Sequence, residues 1–262
     1  MSEILFRDEI MQAIFSLRFD APESESRRFH AVAEEMFDEI RRLESLLSRF
    51  IEDSDVAQIN RLLNGESVIV SPETFRCLEL AEDATRLTNG HFDIAYLSPS
   101  VDERLRPFSL LTKPRRIRSE VELLCIDLGG IGKGFALDHV ASIPLSYGYS
   151  RVLLCADSST MLAIDPPKNT PGWTVSVELD GESQQLELSN MAVSCSGTSV
   201  RGEHVFNVKR RGWTTQTKRC CLLDTSAAFA DAFSTAAMTM DSNEIDLLYR
   251  STDAVPQYVR PR

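Results

Sequence analysis

The period of the apolar residues changes partway along this chain, and no other feature constrains the architecture as much. In the first third, Phe29, Val32, Met36, Ile40, Leu43 and Leu47 recur at three- and four-residue steps, the spacing of one buried helical face. Ser24 or Ser26 is placed to cap that helix. A polar turn, Glu52 to Asp55, leads to a short helical piece through Val56, Ile59 and Leu62. Pro72 then opens a second long helix carrying Phe75, Leu78, Ala81, Ala84 and Leu87, stopped by Asn89-Gly90. Later the spacing becomes that of strands. Leu123 to Leu128 is strand-like, Val152 to Ala156 reads as a buried strand, and Trp173, Val175, Val177 and Leu179 alternate.

Further strands are expected at Gln185 to Leu188, Met191 to Cys195, His204 to Val208 and Arg219 to Leu223, joining a weak one at Ile14 to Phe19. Phe135 to Ile143 and Ala227 to Met240 read as helices, the latter started by Thr225 or Ser226. The stretch 98 to 118, which holds three prolines, reads as loop. Helices first and then strands with few helices between them predict an α+β fold with a mixed or antiparallel sheet. A strictly alternating, doubly wound arrangement is excluded. No repeat or Pro/Gly-rich linker divides residues 1 to 262, which are expected to form one domain.

Thirty-nine acidic residues against 28 basic give a net charge of -11, which opposes sequence-independent binding of nucleic acid. A polyphosphate ligand would therefore need a local device such as backbone amides or a metal ion. The longest apolar run falls far short of the roughly 20 residues of a membrane-spanning helix. The opening residues offer no basic or apolar leader, so a cytoplasmic location is expected. The six cysteines, Cys77, Cys125, Cys155, Cys195, Cys220 and Cys221, contain no CxxC pair. They read as small buried hydrophobes in a reducing compartment.

Asp127-Leu-Gly-Gly-Ile-Gly-Lys-Gly134 packs four glycines into eight residues where a strand is expected to meet a helix. Missing side chains let backbone approach a ligand closely, and helix-start amides favour an anion such as pyrophosphate. The spacing matches neither a Walker loop nor GxGxxG. Lys133 is placed to neutralise a phosphate, and Asp127 to accept from a sugar or ring nitrogen. A second signal is Ala230-Asp-Ala-Phe-Ser-Thr235, where Asp231 and Thr235 stand one helical turn apart. Both are hard oxygen donors, suited to part of a magnesium shell. The surrounding alanines allow close packing of either backbone or ligand. Asn89-Gly-His-Phe-Asp93 sets an aspartate after a turn. His30, His91, His139 and His204 lack zinc spacing, and Ser196-Gly197 lacks the elbow of a serine hydrolase.

Taken together in chain order, these segments resemble the FAD:protein FMN transferase (ApbE) family. The resemblance runs through Met11, Leu47-Ser-Arg-Phe-Ile-Glu-Asp-Ser54, Gly90-His-Phe-Asp93, Asp127 to Gly134 and Ala230 to Thr235. It implies an enzyme that binds FAD and Mg2+, cleaves the pyrophosphate, and passes FMN to a threonine or serine hydroxyl of an acceptor protein, releasing AMP. It also implies metal ligands at the Gly130 carbonyl, Asp231 and Thr235, and FAD contacts at Met11, Phe50, His91, Phe92, Asp93, Asp127 and Lys133. Phe50 would stack on a flat ring. His204, with Asp231 counted among the catalytic pair, aligns with the family histidine expected to act as general base.

Two segments depart from the family pattern. Cys155-Ala-Asp-Ser-Ser159 stands where Asn-Ala-Gly-Gly-Asp is usual, and Asp157 is an acid displaced by two positions. His204-Val-Phe-Asn207-Val208 stands where His-x-x-Asp-Pro is usual, followed by Lys209-Arg-Arg211. These departures keep two alternatives in view: a catalytically altered FAD-binding or partner-binding relative, and an FAD hydrolase giving FMN and AMP.

Overall fold

All five residues of Val152–Ala156 are buried, because this strand lies inside a sheet covered on both faces. The computed structural model describes residues 3–99, 106–179, 182–197, 206–209, 212–213 and 219–251. In chain order the elements begin with strands β1 (Glu3–Ile10) and β2 (Ala13–Asp20), helices α1 (Ser26–Leu47) and α2 (Asp55–Ile59), strand β3 (Ser67–Ile69) and helix α3 (Pro72–Leu87). Strands β4 (Phe108–Thr112) and β5 (Arg115–Ser119) come next, then helices α4 (Gly132–Val140) and α5 (Ser142–Ser146). Strands β6 (Val152–Ala156), β7 (Thr160–Ile164), β8 (Trp173–Leu179), β9 (Glu182–Leu188) and β10 (Met191–Gly197) follow. The short strands β11 (Phe206–Asn207) and β12 (Gly212–Trp213), then β13 (Arg219–Asp224), α6 (Ala227–Ala237) and α7 (Ser242–Ser251) complete the described chain.

Six strands form the main sheet in the order β1-β2-β6-β7-β10-β13, antiparallel at every pairing. Alternation along β6 sorts its side chains between two cores. Val152, Leu154 and Ala156 join the buried faces of α1, α3, α4 and α6. Leu153 and Cys155 meet Trp173, Val175, Val177 and Leu179, so the β8–β9 ribbon covers the opposite face. A separate antiparallel sheet, ordered β3-β5-β4, lies to the side. The α+β expectation is met. The six apolar positions expected on the face of α1 are all buried, and Ser71 and Ser226 cap α3 and α6 through their side chains.

Several expectations are corrected. Neither Ser24 nor Ser26 caps α1: a 3-10 turn, Glu23–Glu25, leads directly into the helix, and no side chain caps it. Residues 108–119 are a hairpin, not a loop, turning at Lys113-Pro114. Leu123 to Leu128 has no regular secondary structure and joins no sheet. Its backbone is satisfied from the side instead: Asn60 Nδ2 donates to the Ile126 carbonyl at 2.9 Å, and Ile126 N–H donates to Asn60 Oδ1 at 2.6 Å. The reading of the six cysteines as small buried hydrophobes in a reducing compartment is corrected for one pair. Cys195 and Cys221 stand directly opposite each other across β10 and β13 and form a disulfide, whereas Cys77, Cys125, Cys155 and Cys220 form none. Strand register brings the pair together, which their separation of 26 residues conceals.

Candidate active site

The glycine-rich turn is held to α6 by close approach of backbone, not by unusual dihedral angles. Among the described residues the positive-φ glycines are Gly65, Gly90 and Gly148, none of them in the turn. A methyl group on Gly134 would lie 2.1 Å from the Ala227 carbonyl oxygen, so α4 can seat against α6 only with glycine there. Asp138, one turn further along α4, caps α6. It accepts from the amides of Ala227 at 2.8 Å and Ala228 at 3.0 Å, and from Ser226 Oγ at 2.7 Å. Burial pushes the Asp138 carboxyl upward from its usual value. The alanines of α6 thus admit backbone.

This seating brings the two sequence signals together. Gly134 N–H donates to Asp231 Oδ2 at 3.2 Å, and a methyl on Gly130 would stand 3.2 Å from Thr235 Oγ1. Asp231 is 4% exposed, and its Oδ1 accepts from Ser194 Oγ at 3.3 Å and Thr160 Oγ1 at 3.4 Å. Every one of these donors is neutral. These hydrogen bonds stabilise a carboxylate without neutralising its charge, and a cation at the Thr235 hydroxyl would add that neutralisation. Carboxylate, hydroxyl and carbonyl are the oxygen donors that suit Mg2+ or Ca2+, and the residues present fit such an ion. Among the described residues there is no cluster of three or more His, Cys, Asp or Glu.

Two adjoining cavities share Gln12, Asp127, Gly129 and Lys133 as a common wall. The larger, about 850 Å³, is lined by His91, Phe92, Asp93, Asp127, Gly130, Lys133, Asp231 and Thr235. The smaller, about 240 Å³, is lined by Met11, Phe50, Asp127 and Lys133. Every candidate residue that is described therefore lines one cavity or both, while His204 lies outside the described residues.

Asp127 is fixed from three sides. Oδ1 accepts from Gly129 N–H at 2.9 Å, Oδ2 accepts from Tyr96 Oη at 3.2 Å, and Arg49 Nη1 is 3.6 Å from Oδ2. Burial, with Asp127 adding to it, pushes the Tyr96 hydroxyl up to about 12, so it stays a donor. The Arg49 guanidinium also sits 4.7 Å from the Phe50 ring centroid. Both nitrogens of the His91 ring are engaged by the protein, Nδ1 with Thr239 Oγ1 at 2.9 Å and Nε2 with Glu244 Oε1 at 3.1 Å. Burial pushes the Asp93 carboxyl upward against the Ala95 amide that donates to it. Asp157, in the first departing segment, adopts φ 53°, a left-handed angle an aspartate tolerates, and accepts from Ile14 N–H at 2.7 Å.

Sequence reasoning missed the hydroxyls around Asp231 and Thr235, namely Thr160, Ser194, Ser196 and Ser234, and it missed Arg49 and Tyr96. One signal was available: Ser194 and Ser196 alternate in an otherwise apolar strand, on the face opposite Val193 and Cys195.

The class defined by fold and site is an α+β protein in which hard oxygen donors on one helix stand opposite a lysine-bearing glycine turn in one cavity. The particular family is shown by comparison: the ApbE family model matches residues 11–258, and the chain belongs to that family. An FAD:protein FMN transferase from Buchnera aphidicola subsp. Schizaphis graminum (strain Sg) is 20% identical over 186 residues, covering 59% of this chain. That match spans 54% of the relative's length. Similar solved structures include the apo flavinyl transferase ApbE of Pseudomonas stutzeri, with TM-score 0.77 and 19% identity, covering 98% of this chain and 94% of that one. The flavin transferase ApbE of Vibrio cholerae has TM-score 0.78 and 16% identity, with coverage of 98% and 96%. The ApbE protein of Thermotoga maritima has TM-score 0.77 and 22% identity, with coverage of 95% and 90%. These structures share the fold. No helix among the described residues is long and apolar enough to cross a membrane.

Proposed function

We propose that this chain is a magnesium-dependent flavin transferase that cleaves the pyrophosphate of FAD and links FMN to a threonine or serine hydroxyl of an acceptor protein, releasing AMP. The observation that carries the reading is the convergence of Gly130, Asp231 and Thr235 on one cavity, with Gly134 N–H bonded to Asp231 behind them. Family membership and the transferase name of the Buchnera relative support it.

Asp231, Thr235 and the Gly130 carbonyl would hold the ion. When bound, Mg2+ supplies charge neutralisation at the pyrophosphate and electrophilic activation of phosphorus. The chain's own residues do the positioning. Lys133, on the wall common to both cavities, offsets phosphate charge where the two halves of a dinucleotide join. Phe50 and Met11 take one ring in the smaller cavity, and Asp127, fixed by Tyr96 and Gly129, accepts from the ligand. His91, Phe92 and Asp93 line the larger cavity around the second half. His204 is proposed as the base for the incoming hydroxyl on its alignment alone.

The test is incubation of the purified chain with FAD, Mg2+ and a threonine-containing acceptor domain. Flavin fluorescence migrating with the acceptor in a denaturing gel is expected. Free FMN and AMP with no labelled acceptor would make the chain a hydrolase, and unchanged bound FAD would make it a binding relative.

A further inference from the structure

Thr235 can serve a cation only if its hydroxyl proton points elsewhere, because an O–H dipole aimed at a divalent ion is repelled. A hydroxyl has one proton to give and two lone pairs with which to accept. The bonds around Thr235 determine where each proton goes.

Ser234 Oγ donates to the Asp231 carbonyl at 3.0 Å, the shorter of its two acceptors, since Ser194 Oγ is 3.4 Å away. With its proton used, Ser234 must accept from Ser196, whose Oγ is 2.8 Å away. Ser196 has then given its own proton and offers lone pairs to Thr235 Oγ1 at 3.3 Å. The proton of Thr235 follows this relay away from the ion site, leaving its lone pairs for the cavity. The backbone makes the arrangement possible. Ser196 lies two residues beyond Ser194, on the same face of β10. It pairs with Cys220 of β13, past the last β10–β7 pairing, at Ser194 and Thr160, so its side chain meets α6 at the cavity wall.

We infer that Ser196 is a positioning residue for the divalent cation: it takes the hydroxyl proton of Thr235 and turns that oxygen's lone pairs toward the ion. The inference rests on the proposed cation site at Asp231 and Thr235, and it adds a residue outside the ligand set.

The experiment is titration of Mn2+, followed by the EPR signal of the free ion, into the full chain with and without FAD. Ser196→Ala is expected to weaken Mn2+ binding about tenfold, the usual effect of removing a partner that orients a metal ligand. Ser196→Thr, which keeps a hydroxyl, is expected to restore most of it. In a Thr235→Ala background the same Ser196→Ala change is expected to cost nothing further, because its effect passes through Thr235. An equal loss in both backgrounds would assign Ser196 to the fold and overturn the inference, as would wild-type affinity in Ser196→Ala. Absence of Mn2+ binding by the unaltered chain, with and without FAD, would instead remove the cation site itself.

Discussion

Asp231 is almost wholly removed from water, and the groups bonded to its oxygens are neutral. If its charge holds Mg2+ against a substrate pyrophosphate, Asp231→Ala is expected to raise the barrier of the magnesium-dependent reaction by about 2–4 kcal/mol. Steady-state turnover as a function of Mg2+ checks this, and unchanged kinetics would remove the assignment. Phe50 presents the opposite anomaly, an aromatic ring 72% exposed with the Arg49 guanidinium against it. In the proposed function this ring stacks on the ligand. Phe50→Ala is expected to weaken FAD binding by about 1 kcal/mol or more. Quenching of flavin fluorescence measures this, and an equal affinity would discard the stacking role.

The pairing of α4 with α6 converts two weak sequence signals into one site, and a single missing side chain permits it. Gly134→Ala would drive a methyl into the Ala227 carbonyl, and separation of the helices would also pull Gly130 away from Thr235. Overpacking of this kind costs about 1–3 kcal/mol or more, and urea unfolding is expected to register at least that loss. A wild-type midpoint would show that the contact yields cheaply. Helices α1 and α3 were legible because each buries one stripe, α6 because a capping residue opens a run of small residues, and β8 because it alternates along its whole length. The β1–β2 hairpin was hidden because its two-residue turn, Met11-Gln12, has positive φ at both positions, where Asn-Gly is the usual signal. In β4 and β5 most residues face water, with Phe108, Ile117 and Ser119 the buried ones, so the alternation is too sparse to read. Leu123 to Leu128 misled in the opposite sense: its side chains alternate, but Asn60 takes the place of a neighbouring strand. Within the site, glycine spacing and the i, i+4 couple of Asp231 and Thr235 carried information. The hydroxyl of Thr160 did not, since it comes from β7 and forms no pattern along the chain with Ser194 and Ser196 of β10.

Across the whole molecule, His91 joins three elements at the far wall of the larger cavity. It follows α3, meets Thr239 just beyond α6, and holds Glu244 of α7. Thr239 Oγ1, 2.9 Å from Nδ1, also donates to the Ala236 carbonyl at 3.0 Å, which ties the ring to the end of α6. Burial holds the imidazole below its usual value, with the Glu244 bond opposing that shift only in part. The folded chain therefore binds fewer protons at this group than the unfolded chain once pH drops below the ordinary imidazole value of about 6.5, and stability must fall as pH falls through that window. Glu39, held down by Arg42, and Glu244, held down by the Asp241 amide, add losses of the same sign at lower pH, where free carboxylates titrate. Asp93, Asp138 and Asp224 act in the opposite direction, since burial raises each of them and acidification relieves that cost. The histidine contribution separates from all of these in His91→Gln, whose amide can still donate to Glu244 but does not titrate. Urea midpoints measured between about pH 7.5 and 5.5 are expected to decline more steeply for the wild-type chain than for this variant. Parallel profiles would mean that protonation of His91 carries no part of the coupling between α7 and the cavity wall.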